Sequence, residues 1–127
     1  MSFDIHFQRF EGCVPGHAVD QRVLDVLEPL IVDRDRDWAR IATVDGDADV
    51  YGIDDPSSGL MINHASGRAI WDVMFEVAKG GNFAVMPMGC GTLIVHEAGK
   101  AALPDEVPEP IVTVASGADL LRAVESA

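Results

Sequence analysis

Hydrophobic and polar positions change rhythm several times along the chain, and each rhythm predicts an element. Phe3, Ile5 and Phe7 alternate with Asp4, His6 and Gln8, the period-two pattern of a half-buried strand. Glu11 to Gly16 is punctuated by Gly12, Pro15 and Gly16 and reads as a loop. From Ala18 to Glu28 the period lengthens. Val19, Val23, Val26, Leu27 and Leu30 recur at helical spacing opposite Asp20, Gln21, Arg22, Asp25 and Glu28, and Pro29 ends the helix.

Asp33-Arg34-Asp35-Arg36-Asp37 reads as a charged connector. Trp38–Val44 and Ala48–Ile53 follow as two strands, joined by Asp45-Gly46-Asp47, whose residues tolerate the positive φ of a tight hairpin turn. A second turn, Asp54–Gly59, leads to a third strand, Leu60–His64. Ser66 is placed to cap a helix over Gly67–Lys79, stopped by Gly80-Gly81. Its apolar stripe, from Ile70 and Trp71 to Phe75, Val77 and Ala78, is wide enough to be covered on more than one side. Asn82–Met86, Thr92–His96 and Ile111–Ala115 read as strands, with a proline-rich connector over Glu97–Pro110. Ser116-Gly117-Ala118-Asp119 resembles a capping box with Asp in place of Glu, and opens a short C-terminal helix carrying Leu120, Leu121 and Val124.

The resulting order is β-α-β-β-β-α-β-β-β-α, an α+β domain with two main helices, a short third one and a mostly antiparallel sheet. The returning strands at 82–86 and 111–115 leave room for a parallel pair. With 127 residues, 48% of them hydrophobic, the chain can build one core, and residues 1–127 read as one domain.

Composition then narrows the partners. Twenty-one acidic residues stand against nine basic ones, a net charge of −12. Nucleic acid is excluded as a partner, because its binding needs cations that displace counterions from phosphates. Anionic membrane surfaces are disfavoured for the same reason. A basic protein is compatible. The opening residues lack a basic segment followed by an apolar one, no run is long enough to span a bilayer, and two cysteines are too few for a disulfide framework, so a cytoplasmic protein is expected.

Candidate chemistry is sparse. Neither Asp33-Asp35-Asp37 nor Asp45-Asp47-Asp49 continues as a calcium loop: the sixth positions are Trp38 and Val50, and the twelfth are Val44 and Pro56. The histidines lack zinc spacing, no phosphate loop is present, and no metal or cofactor is expected. Three side chains are weak catalytic candidates. Cys90, between two glycines, would need an electropositive setting, with His64 or His96 as its base; His64 could instead work with Asp49 or Asp55. Arg68, at the start of the second main helix, could hold an anion there.

Ser2-Phe3-Asp4-Ile5-His6-Phe7-Gln8-Arg9-Phe10, together with Asp49-Val50-Tyr51-Gly52, resembles small bacterial proteins of uncharacterised families, some of them similar to immunity proteins that neutralise toxins. The resemblance covers the first half of the chain and carries over no site residues. It implies a protein that binds another protein. The leading expectation is therefore a non-catalytic domain contacting a basic toxin or nuclease through Asp45, Asp47, Asp49, Asp54 and Asp55. Trp71 and Phe75 could add contacts with that partner or with a second copy of the chain in a homodimer. A small enzyme using Cys90 or His64 is the alternative.

Overall fold

The computed structural model describes residues 4–8, 17–56, 59–81, 83–95, 107 and 109–125. The alternation at the start of the chain becomes β1 (Ile5–Gln8), with Ile5 and Phe7 buried and His6 and Gln8 exposed. The first helical stretch becomes α1 (His17–Leu27), which Pro29 converts to a 3₁₀ turn. Four strands follow: β2 (Ile31–Asp35), β3 (Trp38–Ala42), β4 (Asp47–Tyr51) and β5 (Leu60–Asn63). Then come α2 (Ala69–Gly81), β6 (Ala84–Pro87), β7 (Thr92–Ile94), β8 (Ile111–Thr113) and α3 (Gly117–Glu125).

The fold class is α+β, with one strand more than periodicity predicts. That strand is β2, at the edge of the sheet, where Asp33-Arg34-Asp35 read as a connector. Every residue after Ile31 is exposed, so no alternation of apolar side chains betrays it. Edge strands are commonly charged in this way, which discourages pairing with other chains. Asp33 adds to the effect, since its Oδ1 accepts the backbone N–H of Arg34 at 2.9 Å.

All eight strands form one sheet in the order β2-β3-β4-β5-β1-β6-β7-β8. Six of the seven pairings are antiparallel, and β1 inserts between β5 and β6. The parallel pair is β7 with β8, so it is the strand at 92–94, rather than the one at 82–86, that lies alongside 111–113.

One face of this sheet is core. Ile5, Phe7, Ala39, Ile41, Val50, Ile62 and Val85 are almost completely buried there, in one continuous cluster with Val23 and Leu27 of α1, Ile70, Met74 and Val77 of α2, and Leu120 of α3. Phe7 and Phe83 meet edge-to-face, with ring centroids 6.1 Å apart. Helix α2 packs against both α1 and α3, and its buried residues share the core cluster with the sheet. This explains its wide apolar stripe, which is consumed inside the molecule. Gly117 permits the α2–α3 approach: a Cβ there would lie 2.6 Å from the backbone nitrogen of Asp72. No helix among the described residues is long and apolar enough to cross a membrane.

Two turns differ from expectation in their physical reasons. The β3–β4 hairpin forms, yet Gly46 is not a positive-φ residue. Its hydrogen is needed because a Cβ would collide with the carbonyl oxygen of Ser66. The cap of α2 is the second difference. Ser66 Oγ accepts the N–H of Asp47 at 3.0 Å instead of capping the helix. The cap comes from Asp45, whose carboxylate accepts the N–H groups of Arg68 (2.8 Å) and Ala69 (3.2 Å). On α3 the cap forms as expected, with the return bond displaced by one residue. Ser116 Oγ accepts the N–H of Asp119, whose carboxylate reaches back to the N–H of Ala115, both at 3.1 Å.

Candidate functional site

Strand alternation sends the remaining side chains of the sheet to the face opposite the helices. Cross-strand register arranges them in rows. One row runs Asp33, Arg40, Asp49, Asn63 across β2 to β5. The next runs Asp35, Trp38, Tyr51, Met61, His6, Met86 across β2 to β6. None of the second row belongs to the hydrophobic core. Trp38, Met61 and Met86 are half-buried, and Tyr51 and His6 are exposed. Farther across, Ala84, Thr92 and Ile94 on the same face are buried, so the open area lies between β2 and β6.

The aspartates expected to share one surface are divided between the two ends of the β3–β4 hairpin. Asp45 and Asp47 stand at its tip, while Asp54 and Asp55 follow the far end of β4 beside the β2–β3 turn. Four residues of extended chain, about 13 Å, separate the two ends. Most of these carboxylates also have internal partners. Asp45 caps α2, and the two backbone N–H groups hold its carboxyl below the ordinary carboxylate range. Asp47 accepts the Ser66 hydroxyl at 3.1 Å. Asp54 pairs with Arg34 at 3.1 Å, and its N–H donates to Asp37 Oδ1. Asp55 also has a partner. Asp35, read from sequence as part of a connector, pairs with Trp38 through the β2–β3 ladder, and its carboxylate makes no hydrogen bond or ion pair among the described residues.

Asp49 is the one buried aspartate among the described residues, its side chain 12% exposed. His64 Nδ1 donates to its Oδ2 at 3.0 Å, and Arg40 Nε donates to its Oδ1 at 3.4 Å. Of the two carboxylates considered for His64, the fold thus brings Asp49 to it. His64 has φ of 54°, a left-handed conformation uncommon for a residue with a side chain. Its ring is 61% exposed, more open to water than a cleft would leave it.

The other candidates are placed as follows. Burial pushes the Cys90 thiol up, against the thiolate that a nucleophile needs, and no described histidine hydrogen-bonds it. His96 lies outside the described residues. The α2 N-terminus beside Arg68 is already occupied by the Asp45 carboxylate, which removes the expected anion position. Trp71 belongs to the core and Phe75 packs half-buried against it, so little of either is left for a partner or a second copy. No group of three metal-ligating side chains occurs among the described residues.

Beside the aromatic row, a shallow depression of about 270 Å³ lies between β1, β4 and β5. Its lining includes Tyr51, Met61, His6 and Gln8, with Gly52 and Gly59 at its edge. Sequence reading missed this region because Trp38, Tyr51 and Met61 are each unremarkable alone and adjoin only through sheet register.

No protein-family model, no curated protein and no solved structure matches the chain.

Proposed function

We propose that this chain is a non-catalytic domain that binds a basic protein through the open face of its sheet, as an inhibitor or immunity protein would bind a basic toxin or nuclease. The supporting observation is the row Asp35-Trp38-Tyr51-Met61: aromatic and thioether side chains left outside the core, next to a carboxylate with no side-chain partner among the described residues. Aromatic and methionine side chains are enriched in protein interfaces. The net charge of −12 would steer a cationic partner toward it and raise the encounter rate. Of the five aspartates expected from sequence, Asp54 stands near this row; Asp45 and Asp47 are occupied with the fold. On this reading the protein works in the cytoplasm, where the Cys90 thiol stays reduced.

The test uses wild-type protein and a variant carrying Asp35→Lys, Asp37→Lys and Asp54→Lys as parallel baits in an extract of the native cell. A basic protein held by the wild type and lost by the variant and by added salt is the expected result. Capture that ignores both charge reversal and salt contradicts the proposal.

The Asp49–His64 contact favours a second reading, in which the oriented imidazole performs acid–base chemistry. On that reading His64→Gln abolishes turnover of a hydrolysable substrate while leaving the fold intact. Turnover that survives His64→Gln removes it.

A further inference from the structure

We infer that the open face recognises arginine side chains in particular, stacking guanidinium groups on the Trp38–Tyr51 pair with Asp35 as the anionic end of the site. This deepens the proposal of a basic partner and rests on it. Trp38 and Tyr51 are directly opposed on neighbouring antiparallel strands, and Asp35 is directly opposed to Trp38 on the other side. Opposed residues on adjacent strands have Cβ atoms about 5 Å apart. A cation laid over the Trp38 ring therefore comes within reach of the Asp35 carboxylate, while Tyr51, one strand farther, offers a second ring face beside it.

The geometry suits guanidinium better than ammonium. A planar guanidinium stacks on an aromatic face while its edge donates paired hydrogen bonds to a carboxylate. A lysine ammonium is a compact, strongly hydrated point charge without that planar face. The depression beside Tyr51 and Met61 leaves room for the methylene stem of a second arginine, with Gln8 also in its lining. Arg40, which stands on the same face, is held by Asp49 and so opposes an incoming cation less than a free arginine would.

The experiment is a nuclear magnetic resonance titration of the full chain with two blocked peptides of equal length, one all arginine and one all lysine, at low salt. The arginine peptide is expected to bind more tightly and to shift the Trp38 indole N–H and the Met61 methyl. Tyr51→Leu keeps an apolar side chain but removes the ring; it should weaken the arginine peptide about two- to five-fold and the lysine peptide less. Trp38→Leu, measured separately, should do the same. Equal affinity for both peptides, unaltered by either variant, overturns the arginine inference while leaving a purely electrostatic basic partner standing. Failure of both peptides to bind overturns the inference and the proposed function together.

Discussion

His64 offers the most informative single perturbation, because its backbone and its side chain act in opposite directions. The residue is held at φ of 54°, where a Cβ crowds the following carbonyl and costs roughly 1–2 kcal/mol. Its side chain offsets part of this through the 3.0 Å contact with Asp49. Because the ring is 61% exposed, that contact is discounted to about 0.5 kcal/mol. His64→Ala removes the contact and keeps the crowding, so it should destabilise by about 0.5 kcal/mol. His64→Gly removes both. Relief of the crowding, less the greater freedom of glycine in the unfolded chain, should leave Gly about 1 kcal/mol more stable than Ala. For a domain of this length that is about 3–5 °C in melting temperature. Urea unfolding should show midpoints displaced by about half a molar, with unchanged slope. An alanine variant as stable as the glycine variant would refute the reasoning.

Four further outcomes follow from the geometry. The Asp45 carboxyl is held below its ordinary range by the N–H groups of Arg68 and Ala69, so its stabilising contribution is present above the unfolded value and lost as pH falls through the folded one. Asp45→Ala should therefore lower the urea midpoint at neutral pH, with the difference from wild type closing as pH falls below the ordinary aspartate range. Gly117→Ala sets a Cβ against the backbone of Asp72 and should cost about 1–3 kcal/mol, read as a lower melting temperature. Ile62→Ala empties a fully buried position and should cost about 2–5 kcal/mol. Its neighbour Met61→Ala, on the open face, should cost less than about 1 kcal/mol in the same assay.

Much of the frame was legible where burial writes a period into the chain. The alternation at Ile5 and Phe7, the stripe from Ile70 to Ala78 and the Ser116–Asp119 box all became the elements they predict. Elements without burial were not legible: β2 carries charges that any connector could carry. Long-range chemistry was hidden for a different reason. Asp45 caps a helix more than twenty positions away, and sequence placed Ser66 there because it is the nearest local oxygen. Gly46 looked like a turn residue, but the Ser66 carbonyl dictates it. The Asp49–His64 contact was conceivable in advance, and register selected Asp49 from the available carboxylates. The Asp35-Trp38-Tyr51-Met61 row exists only once four strands are aligned.

Oxidative footprinting of the chain, free and bound to the basic protein it captures, tests the open face most directly. Trp38, Tyr51, Met61 and Met86 should be protected on binding, while Met88, exposed in the turn after β6, keeps its reactivity. Undiminished oxidation of the four face residues, with protection confined to the helix layer, would contradict the account.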